Sequence, residues 1–244
     1  GYRLPMRIWF KCATVVFDQR PDWAAHFFDH PVTMTTFVPG LLNEVCQNAG
    51  KRPMHYPRLR VQVAGGFLDA RGAHRLVETL GCELMVTYGG TEFRTSLANF
   101  VHSDEDLIWL SPAFEPGIEI VDENDGLVPT GTEGIIRIKS FPSDPCGYID
   151  DPATTAKHFR GGYFYPGDRA VRREEGRSRI LGRVADVVNI GGQKVAVEPL
   201  ERAASEILGV GPVCLFNQQD ESGNDLLIVV VEGEQPPETA LLEE

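Results

Sequence analysis

Long apolar runs are missing from this chain. The longest clean one, residues 226–231, has the length of a strand and falls far short of the roughly 20 apolar residues of a membrane-spanning helix. Cysteine is sparse. The five, Cys12, Cys46, Cys82, Cys146 and Cys214, are dispersed, odd in number and nowhere spaced C-x-x-C. This excludes a disulfide framework and predicts reduced, mostly buried thiols in a cytoplasmic protein. Positive charge is in deficit, with 23 Lys and Arg against 35 Asp and Glu and a net charge of −12. Nonspecific binding to nucleic acid or to an anionic membrane needs a basic face and is excluded. Internal repeats, low-complexity tracts and a signal-peptide pattern are also lacking. His26 and His30 are spaced i, i+4 in HFFDH, but without a third ligand or an H-E-x-x-H motif they read as an exposed helix face rather than a zinc site.

What remains is an ordinary globular chain of 244 residues, 42% apolar and 24% charged, long enough for one large or two modest domains. Its first hundred residues alternate strand and helix patterns. Strands are expected at 12–17 (CATVVF), 32–37, 59–64 and 82–87, and helices at 22–29, 39–49 and 69–80, the last closed by Gly81. That rhythm predicts an α/β layer with a mostly parallel sheet over residues 1–110. From about residue 111 the texture changes to short strands separated by Gly, Pro and Asp, at 118–122, 134–140, 170–173 and 178–181. A small antiparallel or β-barrel-like unit is expected over 111–184. A strand at 186–190, a glycine turn, a helix at 198–208 and strands at 212–217 and 226–232 predict a small α+β domain from 185 to 244. The boundary is drawn at Val184-Ala185.

Several short motifs carry chemistry. Tyr88-Gly89-Gly90-Thr91-Glu92 ends a buried strand, and ligands of open α/β sheets bind beyond the carboxyl ends of strands. An aromatic ring there can stack on a base, glycines admit a ligand to the backbone, Thr91 offers a hydroxyl to phosphate, and Glu92 offers a hard oxygen to Mg2+. The plain alternative is a turn with a surface glutamate. Gly65-Gly66-Phe67 ends the preceding strand the same way, so two adjacent strand ends would form two walls of one cleft. Asp168, after Gly167, has two oxygens suited to a vicinal diol; otherwise it is a turn residue. Arg183 presents a fixed fork of donors, or is a surface ion-pair partner. Lys194 in GGQK is no phosphate-loop lysine, because no G-x-x-x-x-G-K-[ST] precedes it.

Taken in order, YGGTE, Pro116-Gly117, Gly147-Tyr148, GYFYPGD (162–168) and ILGRVADVVNIGGQKVAVEPLE (180–201) resemble the adenylate-forming superfamily. That group includes acyl-CoA synthetases, aryl-CoA ligases, luciferases and peptide-synthetase adenylation domains. The resemblance covers nearly the whole chain, and the 180–201 segment looks closer to the CoA ligases. It implies a two-step reaction in which a small carboxylic acid attacks ATP to give acyl-AMP and pyrophosphate. A thiol, of CoA or of the pantetheine on an acyl-carrier protein, then displaces AMP. By the same resemblance Tyr88 stacks on adenine, Gly65, Gly66 and Phe67 line the adenine and acyl pocket, and Thr91 contacts phosphate. Glu92 attends Mg2+, Asp168 and Arg183 hold the ribose, and Gly191 and Gly192 line the pantetheine channel. The small domain of such enzymes rotates about a hinge that is usually Asp or Lys; here it is Ala185.

The resemblance also marks departures. Pro166 stands where a Thr is usual, and Ile135 where a Glu is usual. The phosphate loop with its lysine and the late catalytic lysine have no counterpart. The expectation is therefore a later portion of such an enzyme, inactive by itself, with a noncatalytic AMP-binding relative as the alternative. Room at Gly89 and Gly90 suggests a bulky or aromatic acid.

Overall fold

Among the described residues, five strands and five α-helices build the first part of the chain, and its first three strands pair in parallel. The computed structural model describes residues 3–17, 20, 22–49, 59–113, 117–190, 193–209, 213–219 and 225–231. They fall into two compact units, Gly1–Gly117 with Ser140–Pro145, and Ile118–Lys139 with Cys146–Glu244.

In the first unit the elements run α1 (Arg3–Phe10), α2 (Trp23–His26) with a 3-10 turn Phe27–Asp29, and β1 (Met34–Phe37). A 3-10 turn Pro39–Leu41 leads into α3 (Leu42–Ala49), followed by β2 (Arg60–Val63), α4 (Ala70–Leu80) and β3 (Glu83–Tyr88). Then come β4 (Leu97–Phe100), α5 (Glu105–Ile108) and β5 (Ser111–Pro112). The sheet order is β1-β2-β3-β4-β5. β1, β2 and β3 are parallel, whereas β4 and β5 are antiparallel additions that the periodicity did not reveal. The loop 89–96 is too short for the crossover of a dozen or more residues that a parallel pair requires.

Helix α4 shows how local chemistry sets these elements. The Asp69 carboxylate caps it by accepting the Gly72 N–H at 2.5 Å, and Gly81 ends it at φ 59°, donating its N–H to the Val77 carbonyl. Ala73, Leu76 and Leu80, at spacings of three and four, turn one stripe inward and are buried. Beneath them Val61, Val63, Leu84 and Val86 are the inward half of strands β2 and β3.

The expected strand at 12–17 is not formed. Residues 3–10 are helix α1 instead, and the chain after it is irregular. Cys12 sits at φ 55°, its N–H donates to the Trp9 carbonyl, and the Ala13 N–H donates to the Ile8 carbonyl. This is the double closure of a left-handed helix end, here made by a cysteine where glycine is usual.

In the second unit β6 (Ile118–Val121), β7 (Gly134–Lys139), β8 (Phe159–Arg160), β9 (Tyr163–Phe164), β10 (Asp168–Arg172) and β11 (Ser178–Arg183) form one antiparallel sheet. Helix α6 (Pro152–His158) leads into β8. The path β11-β10-β7-β9-β8, with β6 on β7, does not close among the described residues, so the expected antiparallel or barrel-like unit takes the antiparallel form. β7 is its centre, pairing with β6, β9 and β10. Gly134 is required there, since a Cβ would lie 2.6 Å from the Val121 carbonyl oxygen. Hairpins β12 (Val187–Ile190) with β13 (Gln193–Ala196), and β14 (Val213–Gln219) with β15 (Asp225–Val231), flank helix α7 (Val197–Leu208). β13 lies where the sequence predicts a glycine turn, and α6 lies where it predicts no element. The expected boundary at 184–185 falls in an exposed link between β11 and β12, inside this unit.

All five cysteines are free, but three are exposed, contrary to the mostly buried expectation. Cys12 is in the α1 closure, Cys146 in a loop and Cys214 on an outward position of β14. Burial pushes the Cys82 thiol up to about 11 and also raises Cys46. Iodoacetamide at pH 8 is therefore expected to modify Cys12, Cys146 and Cys214 in the native protein, with Cys46 and Cys82 reacting only after denaturation. Peptide mass mapping reads the result. No helix among the described residues is long and apolar enough to cross a membrane.

Candidate functional site

Asp168 and Arg183, fifteen residues apart in sequence, meet as paired residues at the open ends of β10 and β11. The chain reaches Asp168 through Gly167 at φ +83°, a backbone setting that favours glycine. The Val184 N–H donates to the Gly167 carbonyl at 2.7 Å and closes the end of the ladder. One residue inward the register shifts between Arg169 and Ala170, a bulge of the kind that aims side chains at sheet rims. The Asp168 side chain is 11% exposed and that of Arg183 is 60% exposed, with Arg183 Nε 3.0 Å from Asp168 Oδ1. Arg183 Nη1 also donates to the Pro166 carbonyl at 3.0 Å. A sheltered carboxylate is thus held by a guanidinium whose remaining surface faces solvent. Such a pair presents acceptors and donors together, which is what a vicinal diol needs.

The segment leading to Asp168 is itself anchored by residues that the sequence did not single out. The buried Tyr165 donates its hydroxyl to Asp125 Oδ1 at 2.9 Å, and Arg160 lies over its ring, 3.9 Å from the centroid. Arg160 also pairs with Asp125 at 3.2 Å. The tyrosine hydrogen bond, with Arg160 and Arg137 nearby, holds the Asp125 carboxyl below the usual carboxylate range. Arg137 covers the Tyr163 ring and pairs with Glu119 at 2.7 Å. Arg137 and Arg160 meet Tyr163 and Tyr165 only through the pairing of β7, β8 and β9.

In the first unit, β2 and β3 pair in parallel, with Val63 opposite Val86, so both strand ends point the same way. Gly65-Gly66-Phe67 and Tyr88–Glu92 therefore leave adjacent strands on one side of the sheet. A hydrogen bond of 2.9 Å from Gln62 Nε2 to Thr87 Oγ1 ties the two ends together. Tyr88 is half-buried, with its ring 5.6 Å from that of Phe93. Thr91 and the backbone of Gly65, Gly66, Gly89 and Gly90 are exposed, whereas Phe67 and Glu92 are half-buried. One carboxylate fits the preference of Mg2+ for one or two protein ligands with phosphates and water completing its shell. No group of three or more His, Cys, Asp and Glu among the described residues is placed to hold a metal alone.

The two glycines of YGGTE serve the loop before they serve a ligand. A Cβ on Gly89 would lie 2.9 Å from Thr95 Cα, and one on Gly90 would lie 2.5 Å from the Phe93 ring. The space expected for a bulky acid on that side of the backbone is taken by the loop's own atoms. Arg94 fixes the far end of the loop, stacking on Phe141 at 4.1 Å and donating to Ser143 Oγ at 3.0 Å. Ala185, the expected hinge, is exposed and irregular, and Gly191 and Gly192 lie outside the described residues.

Comparison with known proteins bears on the family and the fold. No family model matches the chain. Triostin synthetase I of Streptomyces triostinicus is 36% identical over 176 residues, covering 70% of this chain and 33% of that protein. The vibriobactin-specific 2,3-dihydroxybenzoate-AMP ligase of Vibrio cholerae is 27% identical over 242 residues, covering 95% of this chain and 44% of that protein. Among solved structures, the amide bond synthetase McbA of Marinactinospora thermotolerans superposes with a TM-score of 0.76 at 22% identity, over 91% of this chain and 47% of that one. The chain thus spans less than half the length of each of these proteins.

Proposed function

We propose, from the premise that the chain belongs to the adenylate-forming superfamily, that it works as part of an ATP-dependent carboxylic acid–thiol ligase. The carboxylate oxygen of a small acid attacks the α-phosphorus of ATP, and pyrophosphate leaves with the electron pair of the broken P–O bond. A thiol sulfur, of CoA or of a carrier-protein pantetheine, then attacks the acyl carbon; the bond from that carbon to the phosphate oxygen breaks, AMP leaves with the electron pair, the thiol proton passes to solvent, and a thioester remains. The observation that carries this reading is the Asp168–Arg183 pair, a sheltered carboxylate with an exposed guanidinium at a strand end.

In this account the Asp168 carboxylate accepts from the ribose hydroxyls while Arg183 holds the carboxylate in place and donates to ribose oxygen. Tyr88 presents its ring to the adenine beside Gly65, Gly66 and Phe67. Thr91 donates its hydroxyl to the α-phosphate. Glu92 would hold Mg2+, which supplies offset of negative charge as an anion attacks an anion. Gly191 and Gly192 border the path of the thiol, and Ala185 absorbs the backbone rotation between the half-reactions. The domains we assign are 1–110 and 111–184 as parts of the large domain and 185–244 as the start of the small one. Reduced thiols fit a cytoplasmic setting.

Acid-dependent exchange of labelled pyrophosphate into ATP, measured with the full-length product of the gene encoding these residues, tests the reading. The expected result is exchange with at least one acid in a panel of aryl and alkyl carboxylates. AMP binding without exchange for any acid would instead identify a noncatalytic relative, a reading favoured by the apolar Ala185 at the hinge.

A further inference from the structure

The loop that delivers Asp168 is held at its start by a histidine with no assigned role. His158 is the last residue of α6, and the β8–β9 hairpin that follows brings Tyr165 back beside it. The Tyr165 N–H donates to the His158 carbonyl at 2.7 Å. In an antiparallel pair the partner bond would run from the His158 N–H to the Tyr165 carbonyl. As a helical residue, His158 directs its N–H along α6 instead. Its ring supplies the missing donor, with Nδ1 2.6 Å from the Tyr165 carbonyl oxygen.

A carbonyl oxygen only accepts, so the proton must sit on Nδ1. Tyr165 thereby has both its peptide groups bound to one residue. The next residue, Pro166, has no N–H to contribute, and its carbonyl takes Arg183. Gly167 follows, its carbonyl taken by Val184 and its Cβ direction facing the His158 ring at 3.9 Å. The ring is further bounded by Tyr148, at 6.2 Å and 86°, and Phe164, at 6.1 Å. The chain between the clasp at 165 and the ladder at 168 has little freedom left.

We propose that His158 is a positioning residue for the Asp168–Arg183 pair, fixing residues 165–167 through its Nδ1–H. The proposal rests on the reading of that pair as the ribose site. His158→Ala removes the donor. His158→Asn restores one, because the Asn amide nitrogen is as many bonds from the backbone as Nδ1. His158→Gln places its amide one bond further out. AMP affinity by calorimetry is expected to fall about tenfold in the Ala and Gln variants and to return to within about threefold of the parent in the Asn variant. Amide hydrogen exchange in the free protein should quicken at Tyr165 and Val184 in the Ala variant, and not at the buried Ile136. Nitrogen NMR of the parent should show His158 protonated at Nδ1.

Equal affinities for the Ala and Asn variants, or a neutral His158 protonated only at Nε2, would overturn the proposal. Asp168→Ala run in parallel separates the two readings. If it leaves AMP binding unchanged, the ribose site is wrong, and the tautomer and exchange data still decide whether the clasp exists.

Discussion

Asp168→Ala is expected to weaken AMP binding at least about 100-fold while leaving the protein folded. A carboxylate accepting from two vicinal hydroxyls makes two charge-assisted hydrogen bonds, together about 3 kcal/mol or more, and each 1.4 kcal/mol is a factor of ten. The fold survives because the partner left behind is Arg183, whose side chain is already 60% exposed and can be hydrated. The costly case is a charge stranded in the interior, and that does not arise here. Asp168→Asn keeps the shape and one acceptor oxygen, so a loss of about tenfold is expected. Arg183→Ala acts differently, since it strips the guanidinium from a carboxylate that is 11% exposed and frees the Pro166 carbonyl. Calorimetry gives the affinities and thermal melting the integrity of each variant.

Ile136→Ala is expected to cost the second unit about 3 kcal/mol. Ile136 is fully buried at the centre of β7, the strand on which β6, β9 and β10 converge. Truncating a buried isoleucine loses both transfer free energy and packing against the cavity left behind, typically 2–5 kcal/mol. Ile135, its neighbour, points to the other face and is half-exposed, so Ile135→Ala should cost less than about 1 kcal/mol. The contrast tests the register, because a slip of one residue would exchange the two side chains. Urea titration followed by the signals of unit-two residues reads both, with the midpoint falling for Ile136→Ala. Similar losses in the two variants would contradict the placement of β7.

These expectations show where sequence sufficed and where it did not. Helix α4 was legible end to end, because Asp69, the stripe Ala73, Leu76 and Leu80, and Gly81 all act locally. Helix α1 was not, because its left-handed closing residue is Cys12, and a cysteine gives no stop signal. The parallel pairing of β1, β2 and β3 followed from strand–helix alternation, but the antiparallel β4 depends on a loop whose fold comes from Phe93 and Thr95 packing on Gly90 and Gly89. The same packing gave those glycines a reason that periodicity could not supply. Asp168 and Arg183 stood out by their motifs, yet their direct pairing follows from the register of β10 on β11. Asp125 and Arg160, 35 residues apart, carried no local signal at all; only the hairpin brings both to Tyr165.

The central claim is that Asp168 recognises a ribose diol, and a thermodynamic cycle tests it most directly. AMP and 2′,3′-dideoxy-AMP are titrated by calorimetry into the parent protein and into Asp168→Ala. The account predicts that removing the hydroxyls weakens binding about 100-fold in the parent and less than about tenfold in the variant, where only the Arg183 contact to the ribose remains to be lost. A variant that still prefers AMP to the dideoxy nucleotide as strongly as the parent does would contradict it.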